Sequence, residues 1–283
     1  MATNRLADFA LFDPAHLNVN GLFIPKLKDK NNQQLRKFYG KYNGGDLEFW
    51  TIQLTAEHQS LLLAIAARTR IDGSQYLPNT TDATEAKLRA DLKLEDAAQT
   101  QPNSIVEVSA FQLLQECGMS DSKKTYDKLE ELLTILSMAI IRYKRGTDSG
   151  NSHLMSYHKR GDKLAISLNW RLTAALITGS FSKIDLDERR ELSKSPVAKV
   201  LHAYLSAHMS HINGGGDQYI HGNYADIDTF IPHIYGNEPY TDDMKRYYRK
   251  QIKAALDLLG KLEKWQVDIK KGRVLITRPK ALN

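Results

Sequence analysis

The chain has 283 residues, enough for two ordinary domains, and its 42% hydrophobic and 25% charged residues are the balance of a water-soluble protein with its own core. Its 39 lysines and arginines outnumber 33 acids, and the net charge of +6 favours a polyanionic partner. One cysteine, Cys117, excludes an internal disulfide and a cysteine-rich zinc site; no apolar run is long enough to span a membrane, and the first residues lack a secretory signal pattern, so the cytoplasm is the expected compartment.

Residues 1–46 read as irregular, with turn signals at Asp13-Pro14, Asn20-Gly21 and Gly44-Gly45. Residues 47–52 read as a strand, and Thr55 can cap a helix to about Arg70 with Leu61, Leu62 and Ile65 inward. Residues 72–103 hold Gly, Pro and Asn breakers around a polar piece and read as an insertion. A short strand over Ile105–Val108 follows, then a helix capped by Ser109 and running to about Cys117, which makes the cysteine a small core residue. After a turn at Gly118, Ser120 or Asp121 caps a helix over about 121–138.

Strands are predicted over 139–144, 153–158 and 163–168, separated by Gly146–Gly150 and Gly161-Asp162, and a first domain closes near Trp170. A helix near 172–177 and a longer one near 196–211, with Pro196 in its first turn, open the second domain. Gly214–Gly216 is a flexible turn. Ile227, Phe230, Ile231 and Ile234 form a helical pattern that Pro232 must shorten or distort. Thr241, with Asp242 and Asp243 behind it, starts a helix to about Lys264. Residues 265–269 and 273–277 then form a hairpin across Lys270-Lys271-Gly272.

One layout occurs twice. Leu129, Leu132, Leu133 and Leu136 make an apolar stripe at helical spacing, and Ile252, Ala255, Leu256 and Leu259 repeat it. Each stripe follows a glycine turn, carries basic residues at its start and runs into β-like segments. Helix, turn, basic helix, hairpin is the order of a winged helix-turn-helix, whose second helix enters a major groove. The predicted class is therefore α+β, mainly helical, with two tandem winged-helix domains, 1–170 (insertion 72–103) and 171–283.

The candidate DNA-binding residues follow from that layout. In the second copy they are Lys245, Arg246, Tyr247, Tyr248, Arg249, Lys250 and Lys253 on the helix, with Lys270, Lys271, Arg273, Arg278 and Lys280 on the hairpin and tail. In the first copy they are Ser122, Lys123, Lys124, Thr125 and Lys128 on the helix and Arg142, Lys144 and Arg145 on the first hairpin, and both hairpins are read as wings against the phosphate backbone. Lys and Arg neutralise phosphates, Arg can also grip guanine with two hydrogen bonds, and hydroxyls bond phosphates or base edges. The bland reading is a solvated face. It weighs most on the first helix, where Asp127, Glu130 and Glu131 mix the charge and a docking or dimerisation role competes. Hairpin cations also serve simply to keep an edge strand from aggregating.

Catalytic signals are absent from the pattern. His202, His208 and His211 share a predicted helix, but no glutamate follows as in a zinc protease and no His-hydrophobic-His triplet is present. No motif singles out a nicking tyrosine among thirteen, and no G-x-x-x-x-G-K-[ST] run exists for ATP. A DNA-binding protein without enzymatic activity, metal or cofactor is expected.

The chain resembles the RepC replication initiators of IncQ-type plasmids over nearly its whole length. The residues that carry the resemblance are Asp13-Pro14-Ala15-His16, Gly21-Leu22-Phe23, Leu168-Asn169, Ile227-Asp228-Thr229, Met244-Lys245-Arg246 and Ile276-Thr277-Arg278-Pro279-Lys280-Ala281; residues 72–103 match least. The resemblance implies binding to direct repeats (iterons) in the double-stranded plasmid origin, opening of an adjacent A+T-rich region, and work with a plasmid-encoded helicase and primase in a bacterial cytoplasm. Related initiators seat tandem winged-helix domains in successive major grooves, and self-association on DNA is compatible with repeated sites. A transcriptional regulator built from the same modules is the alternative; origin melting and helicase recruitment separate the two.

Overall fold

A computed structural model describes residues 5–26, 34–42, 45–76, 83, 86, 87, 90, 103–169, 171–173, 181–210 and 224–278. The class is mixed α/β rather than mainly helical, with fifteen strands in five small sheets among the described residues.

The start of the chain is structured, contrary to the expectation of an irregular segment. It forms β1 (Phe9–Phe12), α1 (Pro14–Leu17), β2 (Phe23–Ile24) and β3 (Arg36–Tyr42), and the strand expected at 47–52 is β4 (Gly45–Thr51). These pieces carry weak local patterns because distant partners complete them. β1 pairs antiparallel with β12 (Ser182–Asp185), and β2 pairs parallel with β5 (Leu54–Thr55). The Asp13-Pro14 turn starts a helix: Asp13 Oδ1 accepts the Ala15 N–H at 2.9 Å, and Pro14 fits the first helical turn. Asp13 Oδ2 meets Arg171 Nε at 2.9 Å, which ties the start of the chain to its middle. Burial works to raise the Asp13 carboxyl, but His16 and Arg171 hold it below its usual range.

The central helix is α2 (Ala56–Asp72), buried from Ala56 to Thr69 apart from Glu57. Its middle, Leu61–Ala67, is apolar on every side, as a helix packed on several sides needs, and the buried polar residues His58, Gln59, Ser60, Arg68 and Thr69 lie toward its ends. His58 Nδ1 accepts the Thr55 N–H at 3.1 Å and closes its first turn. β6 (Ser74–Tyr76) and β7 (Asn103–Ser109) pair with each other, so the two ends of the expected insertion meet in a sheet. The polar piece between them lies almost wholly outside the described residues.

The first helix pair is α3 (Ala110–Glu116) and α4 (Lys123–Met138), joined through Gly118 at φ 67°, where only glycine is comfortable. The N-cap of α4 is Ser122, one or two residues beyond the expected cap. Leu129, Leu132, Leu133 and Leu136 are all buried, each worth roughly 1.5–3 kcal/mol of transfer free energy. Cys117 is half-buried against this core, and burial pushes its thiol up to about 12.

Four strands follow α4 where three were expected: β8 (Ile140–Arg145), β9 (Asp148–His153), β10 (Met155–Arg160) and β11 (Lys163–Leu168). Of the expected Gly146–Gly150 separator, Gly146 lies at the turn and Gly150 inside β9. β8 and β9 join β3 and β4 in one sheet, in the order β3-β4-β8-β9; β10 and β11 join β7 and β6 in another, in the order β10-β11-β7-β6. Leu154, buried between β9 and β10, is where the chain changes sheet.

Residues 171–173 are helical, and the remainder of the helix expected over 172–177 lies outside the described residues, as does the Gly214–Gly216 turn. After β12 come α5 (Leu186–Glu191), which the sequence pattern does not predict, and α6 (Pro196–Ser210). β13 (Ala225–Asp226) leads into a 3-10 turn over Ile227–Phe230 and then α7 (Ile231–Tyr235), so Pro232 does limit the helical pattern to short pieces. α8 (Asp242–Leu259) begins at Thr241, whose Oγ1 accepts the Met244 N–H at 3.3 Å, and ends at Gly260, short of Lys264. β14 (Gln266–Lys270) and β15 (Arg273–Thr277) form the last hairpin; its turn needs positive φ at both Lys271 (49°) and Gly272 (79°).

Two hydrophobic clusters result. One is built on α2, α3, α4 and the strands before position 170, the other on α6, α7, α8 and the last hairpin. α6 contributes to both, with Ala203 and Ala207 in the first and Leu201 and Leu205 in the second.

Candidate nucleic-acid interface

The two halves share a connection pattern that no single segment reveals. In the first, β7 enters, α3 and α4 follow, and the closing hairpin β10–β11 returns so that its last strand pairs with β7. In the second, β13 enters, α7 and α8 follow, and the hairpin β14–β15 returns so that its last strand pairs with β13. In each, the first strand of the hairpin packs on the helix that carries the cations. The first half differs by the β8–β9 excursion, which is captured by β3 and β4.

α8 is the more cationic of the two helices. Tyr248, Ile252, Ala255, Leu256 and Leu259 are buried, so at roughly 100° per residue Arg246, Lys250 and Lys253 fall on the outer face. Arg246 has 75% of its side chain exposed and pairs with Asp243 at 2.8 Å. Lys245 and Arg249 are held by one carboxylate, Asp228, at 2.9 and 2.5 Å. Hydrogen bonding to Arg249, and then to Lys245, keeps Asp228 below the usual carboxylate range. Tyr247 is exposed, but Tyr248 is a core residue stacked on Tyr235 at 3.8 Å.

On the last hairpin Lys270 and Lys271 are exposed. Lys270 bonds Asp268 at 2.6 Å and the Tyr224 hydroxyl at 3.0 Å, and these bonds raise its pKa. Arg273 donates to the Tyr224 carbonyl at 2.7 Å. Arg278 turns inward: its Nη2 meets Glu188 Oε2 at 3.1 Å and its guanidinium lies 4.8 Å from the Trp265 ring centre. It belongs to an internal cluster in which Glu188 Oε2 also receives His202 Nε2 at 2.8 Å and Trp265 Nε1 at 2.9 Å. Lys280 lies outside the described residues.

On α4, Lys123 and Lys124 are exposed at the helix start. Ser122 and Thr125 bond each other at 2.7 Å between hydroxyls, and Lys128 is paired with Glu57 of α2. Arg142 and Lys144 lie on β8, in the sheet with β3 and β4, and not on the hairpin that corresponds to β14–β15; Arg142 faces Glu48 at 3.8 Å. Arg145 is the last residue of β8, with its side chain outside the described set. The corresponding hairpin is β10–β11, and its tip carries Lys159, Arg160 and Lys163 around Gly161-Asp162, all exposed. Sequence reasoning finds that turn but passes over its cations, because β8 comes directly after α4 and takes the place expected for the hairpin. Lys159 also bonds Glu130 of α4 at 2.6 Å, which fixes the hairpin against the helix.

Among the described residues no group of three or more His, Cys, Asp or Glu side chains is placed to hold a metal ion, and no helix is long and apolar enough to cross a membrane. His202 is fully buried and burial lowers its pKa; facing the Glu188 carboxylate, which can only accept, its Nε2–H donates.

A family model described as Replication protein C (RepC) matches residues 5–280. A search of curated proteins finds no match. Among solved structures, a crystal structure of selenomethionine derivatives of domains 2 and 3 of RctB is similar with a TM-score of 0.50 at 10% identity, covering 89% of this chain and 94% of that one. A second structure of RctB domains 2–3 gives a TM-score of 0.46 at 10% identity, covering 89% and 95%. At such identity the likeness is one of fold alone.

Proposed function

The chain belongs to the Replication protein C (RepC) family, and from that premise we propose that it is a replication initiator that binds direct repeats in a plasmid origin through two winged helix-turn-helix units, residues 1–170 and 171–283. The observation that carries the reading is the repeated order of strand, helix, glycine turn, cationic helix and hairpin, closed each time by the same strand pairing. In this reading α8 lies in one major groove with Arg246, Lys250 and Lys253 toward the DNA, and the Lys270-Lys271 tip touches the phosphate backbone. α4, with Lys123 and Lys124, takes the next groove, and Lys159, Arg160 and Lys163 form its wing.

The work is done by binding energy without catalysis. Two reading heads on one chain give the second a high effective concentration once the first is seated. Copies on neighbouring repeats bend the duplex, and that strain favours opening an A+T-rich segment, where a helicase is delivered. Footprinting on the cognate origin tests the reading. Protection repeating at multiples of about ten base pairs is expected. Absence of protection, or protection at a single promoter-proximal operator, sinks it.

A further inference from the structure

α8 has a second polar face. Met244, Tyr247 and Gln251 lie roughly a third of a turn or more from Arg246 at about 100° per residue. They line a groove of about 1090 Å³ between α8 and β3. Tyr39 on β3 and Tyr247 on α8 expose 67% and 57% of their surface, unusual for aromatic rings, and both line this groove. Three cations, Lys26, Arg36 and Lys37, line it against one acid, Glu238, among the described residues. Lys37 is fixed 4.0 Å from the Trp50 ring centre, and Arg36 bridges to Glu238 at 2.5 Å. The Tyr235 hydroxyl, on the same lining, is buried without a hydrogen-bond partner among the described residues.

We propose that this groove binds single-stranded DNA. Exposed tyrosines offer flat faces on which unpaired bases stack, and the surplus of cations follows a backbone of phosphates. A duplex cannot use these rings, because its base faces are already stacked within the helix. A neutral peptide would cover the rings but bring no anion to Lys26, or to Arg36 and Lys37, which here rest on the side chains of Glu238 and Glu48. Met244 and Gln251 lie away from Arg246, Lys250 and Lys253, while Tyr247 stands roughly 60° from Lys250 at about 100° per residue, so the groove adjoins the duplex face along that edge and a strand leaving the duplex can pass into it. This site goes beyond the duplex reading and does not depend on it.

The test is anisotropy of a labelled oligothymidylate of about ten nucleotides, with a duplex of matched length measured on the same samples. Tyr39→Ala, on β3 and away from α8, is expected to weaken oligothymidylate binding about tenfold if it stacks one base, with duplex affinity unchanged, and Tyr39→Ala with Tyr247→Ala to weaken it further. Tyr39→Phe with Tyr247→Phe keeps the rings and is expected to bind as the wild type does. Both tyrosines are exposed, so thermal melting of the alanine pair should match the wild type. Unchanged oligothymidylate binding in the alanine pair, equal loss in the phenylalanine pair, or equal loss on the duplex in the Tyr39→Ala chain overturns the proposal. No binding by the wild type also overturns it and leaves the groove to a peptide. Loss of duplex binding alone, in an Arg246→Ala chain that still holds oligothymidylate, supports it.

Discussion

Asp228 accepts both the Nε–H and an Nη2–H of Arg249, each at 2.5 Å. This two-bond clasp fixes the guanidinium in the first half of α8, and Lys245 reaches the same carboxylate. A motif that marks the family resemblance, Ile227-Asp228-Thr229, thus acts on the neighbouring motif that contains Lys245.

Removing this carboxylate should free two cations for phosphates. Asp228→Ala is expected to tighten binding to non-specific duplex and to steepen the slope of log K against log salt by about 0.9 for each additional phosphate neutralised. Salt-dependent anisotropy titration reads the slope; a slope equal to that of the wild type would show that Arg249 and Lys245 lie off the DNA.

Arg246 should contribute to sequence recognition. Arg246→Ala is expected to cost about 1–3 kcal/mol on the cognate repeat if it reads one base, and much less on random duplex. Equal affinity for the repeat before and after substitution would remove the outer face of α8 from the interface.

The two hairpin tips should act alike. Lys270→Ala with Lys271→Ala, and separately Arg160→Ala with Lys163→Ala, are expected to lower specific and non-specific affinity together and to shrink the salt slope by about 0.9 per phosphate released. Arg142→Ala with Lys144→Ala should change the slope less, because β8 belongs to the other sheet. The opposite ranking would restore β8 as the first unit's wing.

Gly21 and Gly236 pack backbone to backbone. A Cβ on Gly21 would stand 2.5 Å from the Gly236 Cα, and Gly21 also has φ 67°. Gly21→Ala is therefore expected to destabilise the fold by at least about 1–3 kcal/mol, read by chemical denaturation. Gly161→Ala, also at positive φ but with open space around it, should cost less. Equal costs would rule out the close approach as the cause.

Acid should destabilise the fold in two stages. Burial lowers His58 and His233 to about 4 from 6.5, so the unfolded chain takes up their protons first, and stability falls as pH drops from about 6.5 toward 4. Glu188 is held at about 2 against 4.5: burial opposes its charge, but His202, Arg278 and Trp265 outweigh it. Its contribution is present above about 4.5 and is lost as pH falls toward 2. For the buried His58 the full loss is on the order of 3 kcal/mol. Denaturant melts of His58→Asn should show a shallower decline between pH 6.5 and 4; an unchanged decline would assign the loss elsewhere.

Elements with a local signal were legible in the sequence. The apolar stripes of α4 and α8, the Thr241 and Ser109 caps and the Lys271-Gly272 turn could be read because helix periodicity, capping and turn chemistry act within a few residues. Strand pairing was settled only in the folded chain. β1, β2, β3 and β12 have little pattern of their own and exist because β12, β5, β4 and β1 complete their hydrogen bonds. The same non-local pairing took β8 away from the first hairpin and left Lys159, Arg160 and Lys163 at that hairpin's tip. Packing between distant segments turned Tyr248 and Arg278 inward while leaving Tyr247 facing a groove. Charge in a sequence gives the number of cations; the partner each one meets depends on chain segments far away, and burial and pairing then fix which remain available to a ligand.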